Sequence, residues 1–415
     1  MIKDILCERA IKNSNKTFIT YQNKQISYSQ FNWMVNNCMD CFEVNGSKYV
    51  GLKIKDKLKL LIAILALNRK KLIPVIYPNY PNIEPYVSAV NIPVQVEDFQ
   101  IKEDYNNPSG KYSYEEKATQ LILFTSGSSG VPKPCEITYE NFYESAKMWD
   151  KIISFDDSDV YLNHMPLSHV GGLSIFFRSL YYNFAMILDD FSHENIVRYS
   201  KSITLVSMVP SMIEILSNDI NNINFKKMKA CIVGGDQISQ RLLKIIKKTE
   251  MSTYISYGLT ETCSGIAGSW LEDFYDTFIY KAHEDVCLGL SDSALQITSP
   301  VVVKKYFNSN RLFNNKFITS DCVEIIKKNQ FKFIKRMDDI FISGGKNISL
   351  SYVKTHILKI EGVYSCDLKI INDKRWGKVM HAALDIEENM SLKNIRQNLI
   401  NFLPNYMIPK KMTIK

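Results

Sequence analysis

The chain has 415 residues, 46% of them hydrophobic and 23% charged, which is enough apolar material for packed cores in two or three domains. Seventeen glycines and thirteen prolines are too few for a fibrous or low-complexity chain. The net charge of +8 arises from 51 Lys+Arg against 43 Asp+Glu. The lysines are scattered among asparagines and isoleucines, which reads mostly as the codon bias of an AT-rich genome; a phosphate-bearing substrate is the modest functional remainder of the charge, and nucleic acid is disfavoured.

Nine cysteines form no Cys/His cluster with zinc spacing. The N-terminus, MIKDILCERAIKNSNK, has no apolar h-region or small-residue cleavage site. The most apolar stretch, Leu58 to Leu67, is far short of the roughly 20 residues that a membrane span needs. The expectation is a cytoplasmic protein with reduced thiols and no integral membrane segment.

Thr17–Tyr21 and Gln25–Tyr28 read as a hairpin around Asn23–Lys24, and Ser29 is placed to cap a helix running through Asn36. Tyr49–Ile54 reads as a buried strand, Lys57–Arg69 as a helix and Lys71–Val75 as another strand. The alternation continues through strands at Gln120–Phe124, Val160–Asn163, Ile203–Met208, Ala230–Val233 and Thr253–Ser256. Several of these end in loops of Gly, Ser or Thr, as open α/β sheets do at the carboxyl edge where ligands bind. Beyond Lys281 come short β runs: Ala294–Thr298, Val301–Lys304, Lys316–Ile318, Val323–Ile326 and Gln330–Ile334. Charged Arg336–Asp339 and then Ser343–Gly345 mark a boundary, and 348–415 has a β/α mixture suited to a small separate domain. No internal repeat is visible.

The sharpest local feature is LILFTSGSSGVPKP, Leu121 to Pro134. An apolar strand delivers a loop with Thr125, Ser126, Gly127, Ser128, Ser129, Gly130 and then Lys133. Glycines let backbone amides turn toward an anion, hydroxyls donate further hydrogen bonds, and lysine adds a point charge. The spacing fits neither GxxxxGK[ST] nor GxGxxG. A flexible Ser/Gly linker is the competing reading, although a linker needs no strand before it and no Pro-Lys after it.

TSGSSGVPK resembles the signature loop of the adenylate-forming superfamily: acyl- and aryl-CoA ligases, luciferases and nonribosomal adenylation domains. Further family motifs follow in order: MPLSHVGG (165–172), CIVGGDQ (231–237), YGLTET (257–262), FITSD (317–321) and KRMDDIFISGGKNIS (335–349). The resemblance implies an α/β fold with a large N-terminal AMP-binding domain of mixed α/β sheets over 1–337. It includes a β-rich subdomain at about 281–335, and a small mobile α/β C-terminal lid occupies 338–415. It implies ATP, Mg²⁺ and coenzyme A as cofactor and co-substrates, and a small carboxylic acid as substrate.

Residue by residue, it implies that Thr125, Ser126, Gly127, Ser128, Ser129, Gly130 and Lys133 hold phosphates. His169 flanks the acid, and Gly171 and Gly172 open the pocket. Gly234, Gly235 and Asp236 lie along the adenine, on which Tyr257 stacks; Gly258 and Thr260 approach phosphate. Glu261 helps hold Mg²⁺, Asp321 grips the ribose and Arg336 lies near ribose and phosphate. Asp338 serves as a hinge, and Gly344 and Gly345 admit the thiol of coenzyme A. Lys133, Glu261, His169 and Asp338 are the residues expected to carry the chemistry. A homodimer is compatible with the resemblance.

PLSHVGGLSIFFRSL and YGLTETCS are most similar to the o-succinylbenzoate–CoA ligase family of menaquinone biosynthesis. Arg178 could then pair with the second carboxylate of a dicarboxylic acid, or be a surface arginine on an amphipathic helix. Fatty and other aryl acids stay open; an amino acid is disfavoured, since MPLSHVGG lacks an aspartate for an amino group. Departures are Pro134 after Lys133, Ser320 for the glycine of TGD, Lys335 for the glycine of GR, and Leu295–Ile297 for GEL. Family members also continue past the segment like Pro404 to Lys411 to a GK motif, so the lid is expected to be truncated. Another lysine could substitute, adenylation could be lost while thioester formation survives, or the chain could be a non-catalytic nucleotide binder.

Overall fold

The computed structural model describes residues 1–42, 44, 46–101, 110–125, 132–217, 219–236, 238–249, 251–273, 278–337, 340–343, 346–373 and 376–415. Its largest sheet has thirteen strands. The parallel centre runs, in spatial order, through Thr253–Leu259, Ala230–Val233, Leu205–Met208, Val160–Asn163, Ala185–Leu188 and Thr17–Tyr21. Antiparallel strands extend it on the other side, among them Ser264–Trp270, Tyr280–Ala282, Gln330–Arg336 and Lys316–Lys327. A six-stranded sheet holds the antiparallel pair Thr119–Thr125 and Lys133–Thr138 beside the parallel strands Ile73–Ile76 and Tyr49–Leu52. The central strands are near-continuous apolar runs because both faces are covered; Ala230–Val233 is buried throughout.

Helix Val170–Tyr182 is apolar on nearly every side and is buried from Gly172 to Leu180. It packs on helix Tyr139–Ile153 and on strands Val160–Asn163, Ala185–Leu188 and Ser264–Trp270. Helix Tyr139–Ile153 starts at a capping box of Thr138 and Asn141. The Asn141 amide also donates to the carbonyls of Pro300 and Val302, tying the helix to the β-rich region.

Some boundaries differ from expectation for identifiable reasons. The first hairpin turns at Gln22 and Asn23, with φ of 48° and 64°, so its second strand is Lys24–Ser27. Ser27, not Ser29, caps the following helix, because Ser27 and Gln30 exchange both bonds of a capping box. Val301–Lys304 is not a strand; it is a turn whose Val303 N–H donates to the Glu261 carbonyl, and pairing begins at Lys305–Tyr306. The runs expected at 316–318 and 323–326 form one bulged strand, Lys316–Lys327.

Residues near the C-terminus have a core of their own, with Phe341, Val353, Leu384, Ile395 and Leu399 among its members. It lies between helices Leu350–Leu358 and Leu392–Phe402 and a three-stranded sheet of Val363–Asp373, Gly377–Ile386 and Lys411–Ile414. This unit meets the larger body through Lys354 to Asp236 (3.1 Å) and through Arg241, 3.7 Å above the Tyr364 ring. All nine cysteines carry free thiols. Cys38 and Cys41 have C-x-x-C spacing, but burial pushes the Cys38 thiol up, away from the reactive thiolate. Among the described residues no helix is long and apolar enough to cross a membrane.

Candidate active site

A cavity of about 820 Å³ opens at the carboxyl edge of the parallel strands. Each strand delivers part of its wall. Val160–Asn163 leads to Met165 and His169, Leu205–Met208 to Val209, Ala230–Val233 to Gly234 and Gly235, and Thr253–Leu259 to Thr260 and Glu261. Thr125 and Lys133 enter from the second sheet, where they face each other as the last cross-strand pair before their loop. Asp321 and Arg336 come from the β-rich region, also as direct cross-strand partners.

Glu261 sits in a short 3-10 turn, Thr260–Thr262, and is buried. Burial raises its carboxyl pKa, while the Tyr306 hydrogen bond and the Lys133 and Arg336 charges oppose that rise. The Tyr306 hydroxyl donates to Oε1 at 2.8 Å. Burial, then Glu261, keeps that hydroxyl protonated and therefore a donor. One such carboxylate fits a Mg²⁺ bound mainly by phosphate oxygens and water; among the described residues no group of three or more His, Cys, Asp or Glu forms a metal cage.

Asp321 is buried, accepts the Tyr257 hydroxyl at Oδ2, and has Arg336 Nε 3.4 Å from Oδ1. His169 is the residue preceding helix Val170–Tyr182, and its Nε2 lies 3.1 Å from the Tyr80 hydroxyl. Its edge reaches solvent, but the surrounding protein lowers its pKa, which favours the neutral ring at pH 7.

Arg178 is only 3% exposed and lines the same cavity. Its Nη2 donates to Ser264 Oγ at 2.7 Å, and its guanidinium lies 4.6 Å over the Trp149 ring. Burial brings its pKa down to about 10, which leaves it protonated at neutral pH. Ser264 reaches this position through a backbone φ of 109°, in a region that favours glycine, and strain of this kind gathers at binding sites.

The cavity thus brings together Thr125, Lys133, His169, Arg178, Gly234, Gly235, Gly258, Thr260, Glu261, Asp321 and Arg336. Three expected site residues are elsewhere. Gly172 faces the chain behind it, where a Cβ would come 2.5 Å from the Pro166 carbonyl oxygen, so that of the expected pair only Gly171 lines the cavity. Asp236 turns outward to Lys354. Tyr257 is drawn from the wall by its bond to Asp321 and stands edge-on to Phe331, 5.1 Å between centroids. Ser126, Gly127, Ser128, Ser129, Gly130, Gln237, Asp338, Gly344 and Gly345 lie outside the described residues.

Sequence reasoning missed Trp149, Ser264 and Tyr306. Trp149 reads as one more apolar position on an amphipathic helix, and Tyr306 gives no motif signal. Ser264 was legible only as the end of YGLTETCS.

Residues 82–279 match the family model described as AMP-binding enzyme. The chain is 28% identical over 318 residues to the 2-succinylbenzoate–CoA ligase of Bacillus subtilis (strain 168), covering 72% of this chain and 65% of that protein. The match thus spans a little less than two thirds of that relative's length. Against the 2-succinylbenzoate–CoA ligase of Staphylococcus epidermidis (strain ATCC 35984) identity is 24% over 440 residues, covering 98% of this chain and 92% of the relative. The solved o-succinylbenzoate CoA synthetase of Bacillus subtilis with its acyl-adenylate intermediate shares the fold. Its TM-score is 0.84 at 20% identity, covering 100% of this chain and 95% of that one. The chain is thus similar to AMP-binding enzymes over residues 82–279, to 2-succinylbenzoate–CoA ligases along nearly its whole length, and in fold to a solved o-succinylbenzoate CoA synthetase.

Proposed function

We propose that this chain is an AMP-forming acid–thiol ligase that adenylates 2-succinylbenzoate and passes the acyl group to coenzyme A. One observation carries the choice of acid. Arg178 is a buried, protonated guanidinium in the cavity wall, its Nε has no hydrogen-bond partner, and among the described residues no carboxylate pairs with it. A buried charge without a counter-ion is costly, and a substrate with a second carboxylate removes that cost. The relatives named above are ligases of such an acid.

In the first half-reaction a carboxylate oxygen of the acid attacks the α-phosphorus of ATP and pyrophosphate leaves. In the second, the thiol sulfur of coenzyme A attacks the carbonyl carbon of the mixed anhydride; AMP leaves with the bonding pair and the thiol proton is released. The protein's part is positioning and charge stabilisation. Lys133 and Thr125, at the root of their loop, hold the phosphates with Ser126, Gly127, Ser128, Ser129 and Gly130. Asp321, paired with Arg336, accepts the ribose hydroxyls. Gly234, Gly235, Gly258 and Thr260 offer backbone along the nucleotide. Neutral His169 flanks the acid. Glu261 would hold Mg²⁺, which counters the charge of the phosphates when bound. Asp338 acts as hinge for residues 338–415, and Gly344 and Gly345 give the thiol room. Use of ATP and coenzyme A supports a cytoplasmic location.

The test is to supply Mg-ATP, coenzyme A and 2-succinylbenzoate, with fatty and monocarboxylic aryl acids in parallel, and to follow thioester and AMP by mass spectrometry. Thioester from 2-succinylbenzoate in preference to the others is expected. Preference for a fatty or monocarboxylic aryl acid would overturn the reading.

A further inference from the structure

We propose that Trp149 is a positioning residue for selection of the acid: its indole face, in place of a carboxylate, holds the Arg178 guanidinium and so leaves that positive charge for the substrate; the assignment rests on the reading of Arg178 given above. An arginine anchored by Asp or Glu is neutralised before any ligand arrives. An arginine over an aromatic face is held by the ring quadrupole, which carries no net charge. The geometry at Arg178 is of the second kind: the indole centroid 4.6 Å away and the Ser264 hydroxyl at 2.7 Å.

The indole is itself fixed on several sides. It is buried, with Tyr254 and His283 packed edge-on at 5.7 and 5.1 Å between centroids. Gly265 closes against it from the strand Ser264–Trp270, where a Cβ would lie 2.6 Å from Trp149 Cζ2. Only glycine leaves the indole where it is. The Tyr254 hydroxyl and His283 Nε2 are 2.9 Å apart. Burial, with Arg178 nearby, lowers the His283 pKa to about 3, so this ring adds no second charge beneath the guanidinium. Trp149 also lines the cavity, within reach of the same ligand.

The experiment is a double-mutant cycle on the full chain with Trp149→Leu, Arg178→Met and both together, plus Trp149→Phe. The readouts are KM for the acid, KM for ATP and kcat of pyrophosphate release. Trp149→Leu should raise the acid KM by about tenfold, with the ATP KM unchanged as evidence of an intact fold. Trp149→Phe, which keeps an aromatic face, should recover most of that loss. In the Arg178→Met background Trp149→Leu should change the acid KM by no more than about twofold. Additive effects of the two substitutions, or equal losses for Phe and Leu, would overturn the role assigned to Trp149. The cycle reads on whichever acid the wild type uses, so failure to turn over 2-succinylbenzoate counts against the substrate reading alone.

Discussion

Two buried arginines show the difference between holding a fold and waiting for a ligand. Arg69, at the end of helix Lys57–Arg69, is paired with Asp4 at 2.9 Å, donates to the Asn32 and Asn36 side-chain oxygens, and lies 4.8 Å over the Tyr112 ring. Arg178 also lies over an aromatic ring, yet it has a hydroxyl where Arg69 has a carboxylate, and it borders a cavity. The aromatic contact is common to both. The missing counter-ion is what separates them, and it makes Arg178 a candidate for recognising an anion.

The comparison breaks most visibly at Arg69. Arg69→Met leaves the Asp4 carboxylate buried and unpaired, and should cost about 3–5 kcal/mol in denaturant unfolding, with the acid KM of the remaining folded enzyme unchanged. Arg178→Met should do the reverse. It removes a buried charge that has no carboxylate partner, so stability stays level or improves. The KM for 2-succinylbenzoate should rise about a hundredfold, as the loss of a charge-assisted carboxylate contact predicts, while steady-state kinetics show an unchanged KM for ATP.

Acidification sharpens the contrast. Burial alone would raise the Asp4 pKa, but the Arg69 charge and hydrogen bonds more than offset it and hold the carboxyl below its usual value. The stabilisation is therefore complete above the unfolded pKa of about 3.9, and is lost as pH falls through the lower folded value. Asp4→Asn should flatten that acid limb in a pH series of unfolding curves. Arg178→Met should leave it as it is. The smallest effect expected is at Glu261. Tyr306→Phe removes a hydrogen bond that lowers the Glu261 pKa, so the acid limb of pyrophosphate release should move to higher pH.

The end of the cavity attributed to nucleotide was legible in the sequence because it is built from local motifs. Strands run into Gly234–Gly235 and into Gly258, and Asp321 and Arg336 each sit in a recognisable stretch. Strand alternation gave the sheet, though not the single bulged strand that sets Asp321 opposite Arg336. The acid end is assembled from residues far apart in the chain, Trp149, Arg178 and Ser264, which meet only when two helices and a strand pack. Arg178 alone could be singled out, and its surface alternative is removed by its burial. Tyr257 and Asp236 lay in the right motifs, but their side chains are claimed by Asp321 and Lys354.

The measurement that bears most directly on the account is acid selectivity with Mg-ATP. Wild type and Arg178→Met are each given 2-succinylbenzoate and an analogue lacking the succinyl carboxylate, and kcat/KM is taken from pyrophosphate release. Wild type should prefer the dicarboxylic acid by about a hundredfold, and the variant should treat the two alike. A preference that survives in Arg178→Met, or that is absent from wild type, would contradict it.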